Sequence, residues 1–345
     1  MELAARRAQA LSCQRVSVAA VGDIMLGTDF PEPRLPADDG AGQLSAAAPI
    51  LRQADIAFGN LEGVLLAGGE PAKKCRNPSA CYLFRSPPRF AETLATAGFT
   101  VLSLANNHAR DFGEEGRDST MAALDAAGVL HSGREGTVAS WEQGDSRVAM
   151  IAFAPFKGAW PMLDPAGAEA AVAGLAAGHD IVIVSFHGGG EGADADRIPF
   201  TEEFYREENR GNVVEFARAM VEAGADLVFG HGPHVPRAME LHRERLVAYS
   251  LGNFATWWGI NVTGTKGYAP ILHATVDGNG RFVTGNIVSM RQLRPDGPRR
   301  DAADRAGRMM RELTVLDFAG GGLNFDSAGA FQPAAGPVAD CEAAP

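Results

Sequence analysis

Six apolar runs of this chain stop at side chains that can hold a metal ion or pass a proton. VSVAAV (16–21) leads into Gly22-Asp23, DIAF (55–58) into Gly59-Asn60-Leu61-Glu62, and TVLSLA (100–105) into Asn106-Asn107-His108. IVIVSF (181–186) leads into His187, DLVFG (226–230) into His231-Gly232-Pro233-His234, and LVAYSLG (246–252) into Asn253-Phe254. One such residue is an ordinary turn or core residue, but a series describes a site, because ligands of open α/β sheets bind beyond the carboxyl ends of the strands. Asp23, Glu62, Asn107, His187, His231 and His234 are therefore candidate metal ligands. Carboxylate, amide and imidazole without thiolate suit Zn²⁺, Mn²⁺ or Fe, whereas an all-oxygen Mg²⁺ or Ca²⁺ shell has no need of imidazole. Such an ion activates water and polarises the bond under attack, so hydrolysis is the expected chemistry.

The elements that position these residues follow from periodicity. Continuous β-branched runs suit strands buried on both faces. Between them PPRFAETLATAGF, GRDSTMAALDAAG and NVVEFARAMVEAG carry helical patterns that end at Gly98, Gly128 and Gly224. Alternating strands and helices imply a mainly parallel sheet with helices outside it. YAPILHATVD and RFVTGNIVSMRQL, separated by GNG, read as a hairpin of a more antiparallel sheet. Residues 299–314 read as a basic amphipathic helix on the surface, and the glycine-, alanine- and proline-rich tail from Ala319 as loosely ordered. The expected division is an N-terminal extension (1–15), one domain (16–318) and the tail (319–345).

Length and composition bound the partners. The chain has 345 residues, 46% of them hydrophobic, and a formal net charge of −11, which argues against a nucleic-acid or anionic-membrane surface. No apolar run reaches the roughly 18 residues of a membrane span. The first sixteen residues show no secretory pattern, so the expected location is cytoplasmic, or extracytoplasmic if a leader has been removed. Cys75 and Cys81 bracket a short loop that an oxidising compartment could close, while Cys13 and Cys341 suggest no role. His131, His179, His242 and His273 fall off the strand ends and read as structural.

GDIMLG (22–27), GNLEG (59–63), LANNHARDFGEEG (104–116), GHGPHV (230–235) and YSLGNF (249–254), supported by FRSPP (84–88) and EAGADLVFG (222–230), resemble the CapA family of capsule and poly-γ-glutamate synthesis. That family is similar to the calcineurin-like metallophosphatases. The resemblance spans roughly residues 16 to 295 and implies a four-layer αββα sandwich of the metallo-dependent phosphatase type, with one or two divalent transition-metal ions. It implies Asp23 as the first metal carboxylate, Asn60 in the place of a bridging Asp, and His108 as the acid that protonates the leaving group. Glu191, in FHGGGEG, matches a family glutamate and reads as a general base or substrate anchor.

Further residues complete the reading. Asn106 and Asp111 are expected to orient His108, and Arg85, Arg210 and Asn253 to contact a small or polymeric anionic substrate. Three positions depart from the metallophosphatase pattern. Met25 stands where Asp-x-His has its imidazole, Gly232-Pro233 spaces the two histidines more widely, and Asn60 lacks the bridging charge. One tightly held ion fits these departures. The expected function is a metal-dependent hydrolase acting on a phosphoester or a γ-glutamyl amide; the alternative is a polymer-binding assembly protein with a degenerate metal fold.

Overall fold

The apolar runs that precede the candidate residues form the central strands of two facing sheets. The computed structural model describes residues 9–74 and 81–336. The first sheet runs Leu323–Phe325, Ala330–Pro333, Phe282–Leu293, Tyr268–Asp277, Arg15–Met25, Ile56–Leu61, Val101–Ser103, Leu130–Ser132, and Asn253–Thr256 also pairs with Arg15–Met25. The second runs Met239–His242, Arg245–Ala248, Leu227–His231, Ile181–His187, Ser146–Ala154, Ala139–Gln143. Around the site the pairing is parallel, and Tyr268–Asp277 with Phe282–Leu293 forms the expected antiparallel hairpin.

Strand alternation sorts the apolar side chains into three slabs. Val18, Phe58, Ile183, Leu227 and Phe229 fill the space between the sheets. Phe90 and Leu94 of helix Phe90–Ala97, with Leu124 of helix Gly113–Ala126, cover Ala57 and Leu102 on the outside of the first sheet. Val172 of helix Pro165–Ala176, with Phe216 and Met220 of helix Val213–Ala223, covers Val182, Val184 and Val228 on the outside of the second. Three slabs between four layers make the αββα sandwich. No helix among the described residues is long and apolar enough to cross a membrane.

Two segments differ from their expected form. Arg299 and Arg300 end a strand, Gly297–Arg300, paired with Phe282–Leu293, and the helix runs instead from Arg305 to Phe318. The segment after Ala319 supplies two strands through Pro333, because Leu323 and Phe331 bury themselves in the inter-sheet slab. Phe331 is 1% exposed and stacks on Phe282 at 5.4 Å. Cys13 and Cys81 are both disulfide-bonded, so Cys13 is not the incidental thiol its position suggests. Cys75 and Cys341 lie outside the described residues.

Replacing Phe331 with alanine should therefore cost about 3–5 kcal/mol of stability, the usual range for emptying a buried aromatic site. Urea denaturation measures it. An unchanged midpoint would mean that the last strand adds nothing to the sandwich.

Candidate metal centre

Sheet register brings the candidate residues into two rows. In the first sheet Asp23 is the register partner of Asn253 on one side and of Asn60 on the other. In the second, His187 pairs with His231. Along Ile56–Leu61, alternation sends Ile56 and Phe58 into the inter-sheet slab, and Asn60 and then Glu62 follow on the same face. Leu227, Phe229 and His231 do the same from the opposite sheet.

Asp23 reaches that face only through an irregularity. Val18 and Ala20 face the inter-sheet slab, but Val21 and Ile24 both face the outer one, so the alternation slips between them, where the pairing register also shifts. Gly22 sits at the slip. A Cβ there would lie 2.0 Å from the Gly252 carbonyl oxygen, which accepts the Asp23 N–H at 2.9 Å. Only glycine permits this approach, and the shift turns the Asp23 side chain inward.

Asp23 is then surrounded. Its Oδ1 accepts from Asn60 Nδ2 at 2.8 Å and lies 3.3 Å from His231 Nδ1, while its Oδ2 lies 2.9 Å from His234 Nδ1. His234 adopts a left-handed backbone (φ 60) to make this contact, and its Nε2 lies 3.8 Å from Glu62 Oε1. Ligand atoms of Asp23, Glu62 and His234 fall within 4.8 Å of one another. Glu62 Oε1 and Oε2, Asn107 Oδ1, His187 Nε2 and His231 Nε2 are buried without a hydrogen-bond partner among the described residues. Buried polar atoms are ordinarily satisfied. Here the orphans are all good donors to a borderline cation, so the residues fit one.

Electrostatics divides the two carboxylates. Burial alone would raise Asp23, but hydrogen bonds from His231 and His234 outweigh it and hold the carboxyl far below its usual range. Burial pushes Glu62 up to about 8, assisted by Asp23 and Glu191 and opposed by His234. His234 loses proton affinity to burial but gains more from Glu62 and Asp23, and rises to about 10. Burial holds His187 well below its ordinary value.

His108 stands beside this cluster with its own support. Its Nδ1 lies 2.7 Å from Asp111 Oδ2, its backbone N–H donates to Asn106 Oδ1 at 3.0 Å, and Phe84 lies over its ring at 4.3 Å. Asn106 and Asp111 thus contact His108 as expected. Glu191 Oε1 lies 2.9 Å from Arg210 Nη2, and the buried guanidinium lies over Phe156 and Tyr205. Glu191 also lines a groove of about 510 Å³ with Gly190, Asp194, Glu202 and Glu203.

Three assignments change. Arg85 is not turned to the centre: it pairs with Asp29 at 2.5 Å and donates to the carbonyls of Gly68 and Gly69 at 2.6 and 2.8 Å, holding a loop. Asn253 Oδ1 lies 3.0 Å from His234 Nδ1, and its Nδ2 donates to the carbonyls of His234, Asn261 and Lys266, so its amide positions an imidazole instead of meeting substrate. Asn60 Nδ2 donates to Asp23 Oδ1 and its Oδ1 accepts from Asn106 Nδ2 (3.1 Å), so its amide bridges two side chains and its oxygen is not left unpartnered as those of Glu62 and Asn107 are. Lys73 is the contact that sequence reasoning missed, at 3.3 Å from Asp111 Oδ1. It lies in a polar loop with no periodicity to mark it.

Residues 17–256 match the family described as bacterial capsule synthesis protein PGA_cap. The chain belongs to this family. The PGA biosynthesis protein CapA of Bacillus subtilis (strain 168) is 28% identical over 318 residues, covering 87% of this chain and 78% of that protein. The capsule biosynthesis protein CapA of Bacillus anthracis is 28% identical over 333 residues, covering 87% and 73%. Among solved structures, a 5'-nucleotidase precursor from Thermus thermophilus is similar at 15% identity and a TM-score of 0.45, covering 82% of this chain and 56% of that one. The PGA_cap match contains every residue of the cluster from Asp23 to Asn253, whereas the strands and helix after Thr256 lie beyond it.

Without an ion, groups at about 8 and about 10 keep protons at pH 7 that a cation must displace. Metal affinity should therefore rise with pH between 6 and 8, by up to about tenfold per unit for each proton released. Titration with Zn²⁺ or Mn²⁺ in two buffers of different ionisation enthalpy reads both affinity and proton release. Affinity that ignores pH, or metal content unchanged in Glu62→Ala and His187→Ala, would dissolve the assignment.

Proposed function

We propose that this PGA_cap protein is a metal-dependent hydrolase, acting on a phosphoester or a γ-glutamyl amide in the making of an anionic polymer. The observation that supports the reading is that ligand atoms of Asp23, Glu62 and His234 lie within 4.8 Å of one another, with buried, unpartnered atoms on Glu62, Asn107, His187 and His231 and an imidazole fixed by a carboxylate. Asp23, Glu62, Asn107, His187, His231 and His234 would hold the ion. Asp23 and Glu62 together bring two negative charges, which balance one Zn²⁺, Mn²⁺ or Fe²⁺ in a buried site. When bound, such an ion supplies Lewis-acid polarisation of the scissile bond.

The protein's own groups do the rest. Asp111 occupies His108 Nδ1 and leaves Nε2 for the reacting atoms. Burial lowers His108 despite Asp111, so the resting imidazole is neutral at pH 7. An anionic substrate beside Nε2 raises its proton affinity, and the proton it gains passes to the leaving oxygen or nitrogen. Glu191, tied to Arg210, anchors substrate at the head of the groove.

A polymer-binding protein with a degenerate metal site is the second reading. Asn60 favours it, because an amide donating to Asp23 stands where a carboxylate could bridge two ions. The relatives' names describe biosynthesis and not a reaction.

His108 separates the two. His108→Ala should keep fold and metal while turnover falls by about 10² to 10⁴, with a smaller loss for nitrophenyl leaving groups, which need little protonation. A panel of phosphoester and γ-glutamyl substrates with metal analysis of each variant measures this. Equal turnover by variant and wild type on unactivated substrates, or none by the metal-loaded wild type on any, would favour the binding protein.

A further inference from the structure

Lys73 is the cation that the reaction described above leaves unused. Its backbone N–H and that of Ala72 donate to the Asp111 carbonyl at 3.1 and 2.9 Å, so two main-chain hydrogen bonds fix the start of its side chain. Its ammonium donates to the Asn107 carbonyl at 3.1 Å and lies 3.3 Å from Asp111 Oδ1. Asn107 offers an orphaned Oδ1 to the metal cluster, and Asp111 holds His108 with its other oxygen. The ammonium therefore sits where the ligand set and the proton-transfer group meet.

An ammonium has three N–H donors; the Asn107 carbonyl takes one, and Asp111 Oδ1 at 3.3 Å is an ion-pair contact. The Lys73 side chain is 36% exposed while the Asp111 side chain is fully buried, so a remaining donor is on the solvent side. Its charge is felt at both Glu62 and His108.

We propose that Lys73 is a substrate-binding residue whose free N–H receives an anionic oxygen, phosphate or carboxylate, on the His108 side of the metal cluster. This inference rests on the metal-centred hydrolase reading and adds the charge that its substrate must carry. Lys73 selects substrates with an anionic oxygen within reach of the bond that His108 protonates. A lysine that merely neutralises Asp111 would have no effect on ligand choice.

The test uses the full chain loaded with Zn²⁺ or Mn²⁺ and two probes, inorganic phosphate and glutamate, titrated calorimetrically into wild type, Lys73→Met and Lys73→Arg. At least one probe should bind wild type, with phosphate or glutamate preference naming the oxyanion. Lys73→Met should weaken that probe by about tenfold or more, as expected for a charge-assisted hydrogen bond, and Lys73→Arg should restore most of the loss, with metal content equal in all three. In wild type the same probe should protect Lys73 from acetylation as read by mass spectrometry, a measurement independent of whether Lys73→Met folds. Failure of both probes to bind, equal affinity in Lys73→Met, or absence of protection would overturn the proposal. Lys73-dependent binding without turnover on any substrate would instead remove the hydrolase reading, and turnover with Lys73-independent binding would leave that reading standing alone.

Discussion

A carboxylate with no exposed surface is the constraint on which the site depends. Asp23 lies at the end of a central strand, and removing its charge from water is tolerated only if close donors replace the water. Asn60, His231 and His234 supply them from three different segments and from both sheets. This requires the Gly22 slip, the parallel register of Asp23 with Asn60 and Asn253, and a sheet separation that lets His231 reach across. The left-handed backbone of His234 belongs to the same requirement, since strained conformations persist where surrounding contacts over-determine them.

Much of this architecture was legible in the chain. Continuous apolar runs marked strands covered on both faces, and the residues after them marked the ends at which a site forms. The meeting of Asp23 with Asn60, His231 and His234, and of His234 with Glu62, follows from those two regularities. The slip at Gly22 was not legible, because a one-residue change of face leaves no trace in composition. The last strands were hidden for a similar reason: Leu323 and Phe331 are sparse among glycine and alanine, and their value appears only when the inter-sheet slab they complete is in place.

Residue type marks what a side chain can do, and its neighbours decide what it is free to do. Arg85 has the chemistry to bind an anion, yet its guanidinium is taken by Asp29 and two carbonyls. Asn253 ends a strand at the site, yet its amide is shared among His234 and three carbonyls. Lys73 shows the converse, a surface lysine by sequence that the turn from Asn107 to Asp111 draws into the site. None of these commitments is local in sequence.

Asn60 gives the sharpest case, because its amide orientation is fixed by a chain of one-way bonds. The Leu61 carbonyl can only accept, so the Asn106 atom at 2.8 Å from it is Nδ2; that same nitrogen lies 3.1 Å from Asn60, which must present its Oδ1 there. Asn60 Nδ2 is thereby left to face Asp23 Oδ1 at 2.8 Å, the one arrangement in which a deprotonated Asp23 gains a donor. An aspartate at position 60 would place a second carboxylate against the first, and the pair would have to share a proton or recruit another cation. The amide performs that task without either. It therefore keeps Asp23 ionised without a second charge beside it, and the amide is part of how the cluster is balanced.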